Sequence, residues 1–347
     1  MRDLQQPGRS PVYASNAMVS TSHPLSTSAA LDVLKKGGNA VDAALAAVSV
    51  QCVVEPASTS VGGDCFCLYS PAGSKQPIAI NGSGRAPKKL SADWLLKNGY
   101  DAIPHQSPHS VTLPTAVDAW VRLNKDYGSK PLGDLLEYAI GYAADGYPVG
   151  QRVAFDFENT LELIKGDQDL SDLFLINGKT LPSGFRHKQP NLAKTLREIA
   201  KKGREGFFSG WVADDILKKL NGLGGLHEKE DFDAAIADYV IPISTDFRGH
   251  KIWQCPPNGQ GVIALLLLNM MSEIDCFGSD PLTLERIHYE IEAGRLAYRD
   301  RSVCLADPEF SQVPVEHLLS KAYAKELVSQ IKEDKALSEL PPSSLPR

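Results

Sequence analysis

The chain has 347 residues, 43% hydrophobic and 22% charged, with 36 basic and 42 acidic side chains giving a formal net charge of -6. That length holds one large domain or two ordinary ones around a substantial core, and the composition excludes a disordered chain. The mild acidity disfavours a nucleic-acid surface, and the longest apolar run, 262–268, is too short to span a bilayer.

Residues 1–16 are polar with two prolines, an extended arm lacking the apolar core of a signal peptide. The short apolar run 17–22 ends at His23-Pro24. Ser26 or Thr27 can cap a helix over 26–37, with Ala29, Ala30, Val33 and Leu34 inward and Gly37-Gly38 as its stop. Asn39 caps a second helix, 40–53, apolar all round apart from Asp42 and therefore buried. His23 invites a catalytic reading, but with no partner acid in sight it reads as a hydrogen-bonded structural histidine.

The stretch 55–87 organises the chain. Gly62-Gly63-Asp64 turns into two strands, 65–69 and 77–80, joined by a loop around 71–74 and followed by Asn81-Gly82-Ser83-Gly84-Arg85. Gly82, Ser83 and Gly84 carry almost no side chain, so something can approach the backbone closely. Arg85 beside such a gap suits a carboxylate, because its planar fork binds both oxygens. The same residues read equally as a bend with Arg85 paired to an internal acid.

A short helix follows at 91–98 with Trp94 and Leu95 inward, then His105 and His109 in a Ser/Pro-rich loop, which are weak evidence for a metal site. A strand at 110–114 and helices at 116–127 and 132–145 come next, the last ended by Gly146. Residues 151–220 are helical, with loops near Asn177-Gly178 and 181–184 and separate helices at 192–202 and 211–220. Gly222 to Gly225 lacks the parts of a phosphate loop. Strands 239–245 and 251–254 pair around 246–249, and a bend at 256–261 enters the apolar helix 262–271. The long helix 283–301 has Ile287, Ile291, Leu296 and Ala297 as its core face, its many charges solvated or paired along the helix. Glu290, Asp300 and Asp307 match no standard metal cluster. One more helical region, 315–331, precedes a proline-rich tail, 338–347, which cannot pack as an element on its own and reads as a segment awaiting continuation. The six cysteines form no Cys-x-x-Cys pair and read as core residues of a reduced, cytoplasmic protein.

These residues resemble a known family. Ser22-His23-Pro24-Leu25, Gly37-Gly38-Asn39-Ala40-Val41-Asp42-Ala43-Ala44, Val54-Glu55-Pro56 with Gly62-Gly63-Asp64, Ala144-Asp145-Gly146, Pro256-Pro257 with Gly261, and the run from Glu292 to Ser302 carry the likeness. The chain is similar to the large subunit of the gamma-glutamyltransferase family, within the N-terminal-nucleophile hydrolases. The resemblance implies an α+β fold, a four-layer αββα sandwich completed by a second, small chain, with this chain supplying most helices. It implies a 1–16 arm, a single 17–335 domain and a 336–347 tail at the autoprocessing junction.

It also implies a mechanism shared between chains. Family precursors cut themselves before a Thr, which becomes the first residue of the small subunit. Its hydroxyl attacks the amide and its own α-amine serves as general base. The catalytic residue is thus expected on the partner, and none in this chain. Arg347 falls where the family's cleavage point is expected. No cofactor and no metal are called for. The partners implied are a small subunit from the same precursor, as an αβ or α2β2 assembly, and a small-molecule amide, with no nucleic acid and no membrane. The family's carboxylate-gripping Arg stands three positions before an Ala-Pro pair. Here that position is Ser83, while Arg85 immediately precedes Ala86-Pro87. On a strand, 83 and 85 share a face, so Arg85 either reaches the same ligand or leaves room for another substrate. Replacing such a clamp by Ser forfeits about 1.5–3 kcal/mol. Arg85, Ser83 and Asp64 are the substrate-binding candidates. The leading expectation is an amide hydrolase acting on a small carboxylate-bearing amide, with a true gamma-glutamyl transpeptidase or an uncut binding homologue as alternatives.

Overall fold

The computed structural model describes residues 11–274 and 282–345, so most of the expected N-terminal arm lies outside the described residues. The protein is α+β, and it divides into two compact units. One holds residues 1–64 and 82–237, the other 65–81 and 238–347.

The first unit is built mainly from helices. Ala40–Val54 packs against both Pro24–Lys35 and Leu132–Asp145, and the latter packs against Pro190–Lys202. Ala43, Ala46, Ala47 and Val50 are buried along Ala40–Val54, and such small side chains let neighbouring helices sit close. Asn39 caps this helix in a reciprocal box with Asp42. The Asp42 carboxylate, fully buried, also accepts from the Ser129 N–H at 2.9 Å and from the Ser129 hydroxyl and the Lys130 N–H. It therefore locks a helix start to a loop almost ninety residues later. Burial pulls this carboxyl up, but the hydrogen bonds from Ser129, Asn39 and Lys130 outweigh it and hold the group below its ordinary value.

Two local expectations change in this unit. The first helix is Pro24–Lys35 and not 26–37, because His23 is its N-cap: His23 Nδ1 accepts from the Leu25 N–H at 3.2 Å. Proline at the first helical position costs nothing, since its missing N–H would be unsatisfied there. The expected strand 110–114 is a 3-10 turn, Pro108–Ser110, followed by extended backbone outside any sheet.

The second unit holds a three-stranded sheet in the order Cys65–Tyr69, Ile78–Gly82, Asp238–Val240, with Ala79 opposite Val240 and Asn81 opposite Asp238. Ile243–Phe247 and His250–Gln254 form a separate hairpin. The single strand expected over 239–245 is thus two strands in two sheets. Pro242, which has no N–H to donate, lies between them. Gly261–Ser272, Leu284–Cys304 and Lys321–Val328 enclose a core that includes Val262, Leu266, Met270, Leu296 and Leu327.

Leu284–Cys304 departs from its expected facing. Ala293, Leu296 and Ala297 are buried, but Ile287 is 38% and Ile291 56% exposed. With Leu284 and Tyr298 they leave an apolar stripe at spacings of three, four and seven, bare in this chain. Glu292 and Asp300, read as solvated or paired along the helix, are paired with Arg295 and Arg299 and are also buried. The reason is the tail. Residues 337–345 run across this helix and satisfy its charged groups, so the segment packs without secondary structure of its own.

Candidate functional site

Two segments of the first unit carry the three sequence candidates, and one stretch, 112–116, holds both. After Ser60 the chain turns tightly: the Gly62 N–H donates to Ser60 Oγ at 3.0 Å and the Gly63 N–H to the Ser60 carbonyl at 3.1 Å. This turn presents Asp64 to solvent. Its Gly63 carbonyl accepts from the Ala116 N–H at 3.2 Å, at the start of the Ala116–Tyr127 helix. The second segment is Ser83-Gly84-Arg85. The Thr112 hydroxyl donates to the Ser83 carbonyl at 3.4 Å, and the Leu113 N–H to the Arg85 carbonyl at 2.8 Å. Ser83 and Arg85, and Gly63 next to Asp64, are therefore tied through their backbones to one rail.

The rail was not legible in the sequence. Its bonds join residues about 30 to 50 positions apart, and nothing in Thr112-Leu113-Pro114 announces them.

The geometry corrects one inference about Ser83 and Arg85. The strand ends at Gly82, and Gly84 has φ of +73°, so the pleat that would set 83 and 85 on one face is broken. Ser83 is half-buried and Arg85 is exposed. What approaches the backbone at Gly84 is the chain's own Leu113 carbonyl. A Cβ built there would stand 1.9 Å from that oxygen. Glycine is required here twice, by the left-handed φ and by the contact.

The other reactive side chains of the first unit have structural duties. His23 caps a helix, and burial lowers its pKa against the raising effect of Glu55. The Ser22 hydroxyl donates to Glu55, and Gln51 Nε2 donates to Ser22 Oγ at 2.7 Å, a cluster bracing the helix ends. His109 packs edge-on against Trp94 and Tyr100, and His227 Nε2 meets the Val111 carbonyl at 2.9 Å. In the second unit, burial first and Cys67 second push the Cys255 thiol up to about 11, which keeps it a thiol at neutral pH. Among the described residues no three or more His, Cys, Asp or Glu side chains gather as a metal site, and no helix is long and apolar enough to cross a membrane.

Comparison with known proteins agrees with this picture. The family model described as gamma-glutamyltranspeptidase matches residues 26–345. The glutathione hydrolase-like YwrD proenzyme of Bacillus subtilis is 37% identical over 92% of this chain and 61% of its own length. The crystal structure of Helicobacter pylori gamma-glutamyltranspeptidase superposes with a TM-score of 0.88 at 31% identity, covering 96% of this chain and 97% of that one. The cephalosporin acylase structure from Bacillus halodurans gives a TM-score of 0.87 at 38% identity, over 95% of this chain and 62% of that one. The likeness shows the fold of these enzymes. The chain spans about three fifths of the length of the curated relatives it matches, 61% and 59% in two cases.

Proposed function

The chain belongs to the gamma-glutamyltranspeptidase family, and on that footing we propose that it is the large chain of an autoprocessed amidohydrolase/acyltransferase. A precursor longer than these residues cuts itself before a Thr, and that Thr heads a small chain. Its hydroxyl oxygen attacks the amide carbonyl carbon while its α-amine takes the proton. The tetrahedral intermediate collapses, the C–N bond breaks, and the leaving amine receives that proton. Water then attacks the acyl ester, releasing the acid and restoring the Thr hydroxyl. The substrate is a small amide bearing a carboxylate. In this reading Arg85 meets that carboxylate, with Ser83 and Asp64 alongside.

The observation that carries the proposal is the family match over 26–345, in a chain that accounts for only 61% of a relative named a proenzyme. Two features of the chain support it. His23 and His227 of the first unit are held in structural roles, one as a helix cap and one on the Val111 carbonyl. Apolar side chains also stand uncovered on Cys65–Tyr69, where Phe66 is 42% and Leu68 39% exposed, and on the stripe with Ile291. A second chain would cover such surfaces.

Intact mass of the purified gene product tests the reading: two fragments, the second beginning with Thr, are expected, and a single uncut chain refutes it. A second reading, gamma-glutamyl transfer, is favoured by the relative named glutathione hydrolase-like. Incubation with a gamma-glutamyl anilide, alone and with a dipeptide acceptor, separates the two. Hydrolysis without transfer is expected, and dominant transfer to the dipeptide defeats the hydrolase assignment.

A further inference from the structure

We propose that Glu292, Arg295, Arg299 and Asp300 form a main-chain clamp that fixes the path of residues 337–345, and through it the place where the self-cleavage junction is presented. This rests on the autoprocessing reading above.

Residues 292, 295 and 299 lie on one stripe of the Leu284–Cys304 helix, three and four positions apart. Glu292 accepts from the Leu337 N–H at 3.1 Å, and Arg295 Nη1 donates to the Leu337 carbonyl at 2.8 Å and to Glu292 at 2.7 Å. Both backbone groups of Leu337 are thus read at once. One step up the helix, Arg299 Nη1 donates to the Pro341 carbonyl at 2.9 Å. Asp300, fully buried, accepts from Arg299 Nε at 2.9 Å, the Tyr323 hydroxyl at 2.7 Å and the Ser343 hydroxyl at 2.7 Å.

Three of these tail contacts are to the main chain and the fourth is to the Ser343 hydroxyl, so the clamp reads mainly the course of the backbone, with one side chain setting its register. A buried carboxylate needs its lone pairs filled, and Ser343 completes the set at Asp300. Apolar residues at 292 and 300 would bury as well, and at less desolvation cost. What they could not supply is register. Pro341-Pro342 stiffens the clamped segment, which lowers the entropy lost on holding it. Leu345, 5% exposed, is docked as well, so the segment is held along its described length. In the autoprocessing reading the junction follows this anchored segment. Self-cleavage needs the attacking hydroxyl and the scissile carbonyl close to contact, a geometry that a loose root would not hold.

The test uses the full-length precursor and follows self-cleavage by gel electrophoresis from a synchronised start. S343A is expected to slow cleavage about tenfold, the factor carried by one charge-assisted hydrogen bond. S343T, which keeps the hydroxyl, is expected to restore it. S26A is the control: Ser26 donates to the Ala47 carbonyl at 2.7 Å deep in the other unit, so its loss lowers stability without touching the tail. Cleavage of S26A at the wild-type rate supports the clamp. Wild-type cleavage by S343A, or equal slowing by S26A, overturns it. A wild-type precursor that never cuts overturns the autoprocessing reading itself, and the clamp's role with it.

Discussion

Gly84→Ala is the sharpest probe of the candidate site. The substitution places a methyl group 1.9 Å from the Leu113 carbonyl oxygen, about 1.5 Å short of ordinary contact. Leu113 cannot simply yield, because its own N–H is bonded to the Arg85 carbonyl at 2.8 Å. The backbone at 84 must move, which breaks that bond at a net cost of about 1 kcal/mol. Holding alanine at φ of +73° adds about 1–2 kcal/mol. A loss of roughly 2–3 kcal/mol of stability is expected, read as a lower midpoint in urea with an unchanged slope. The larger effect is on binding. If Arg85 grips the substrate carboxylate, a shift of this size forfeits a charge-assisted contact of about 1.5–3 kcal/mol. That is a fall of roughly 10- to 150-fold in kcat/KM, carried mainly by KM. R85A should fall by a similar factor, and the double variant should fall little further, since both remove one contact. Steady-state kinetics on the mature enzyme with its best amide substrate makes the measurement. A G84A enzyme with wild-type KM and urea midpoint would refute both the packing argument and the assignment of Arg85.

Other expectations concern stability and assembly. His187 is buried between Tyr147 and Phe174, and burial pushes its pKa down from 6.5 to about 4. The folded state therefore favours the neutral ring: its contribution is complete above pH ~6.5 and is lost as pH falls toward 4, about 3 kcal/mol in all. Urea midpoints at pH 7 and 4.5 should diverge far less in H187F than in wild type, and equal divergence would exclude this histidine as the cause. D42A removes the carboxylate that joins the helix cap to Ser129 and Lys130, and should cost about 3 kcal/mol in a denaturation series. Because that carboxyl sits below its ordinary value when folded, its contribution is present above pH ~4 and disappears as pH drops through the lowered value. If the proposed small chain covers the Ile287–Ile291 stripe, I291D should weaken its association by about ten-fold or more, measured by subunit dissociation on dilution. Unchanged dissociation would mean that the Ile287–Ile291 stripe is not what the small chain covers.

Much of this architecture could be read from the residues. Asn39 as cap, the all-round apolar Ala40–Val54 and the stop at Gly146 are local signals, and each appears in the fold as read. Where the reading failed, distant partners decided. The shared face of Ser83 and Arg85 was argued from strand alternation, a local pattern, whereas the contact at Gly84 comes from Leu113. Ile287 and Ile291 follow the helical period of a core face, yet this chain leaves them bare. For Glu292 and Asp300 the pairing along the helix was legible but the burial was not, because the tail that covers them lies about forty residues away. Asp64, Ser83 and Arg85 stood out by residue type. The rail that ties them together is two main-chain bonds and one from the Thr112 hydroxyl to a carbonyl, partners that residue types alone do not announce.

The three-stranded sheet imposes an order on synthesis. Its first two strands leave the ribosome early, but the third, which sets Val240 opposite Ala79, follows roughly 160 residues later. Until then the growing chain carries two paired strands with an open edge at Ile78–Gly82, while the 82–237 part of the helical unit is translated and joins the helices already made before residue 64. Conditions that slow elongation between 82 and 237 therefore lengthen the exposure of that edge.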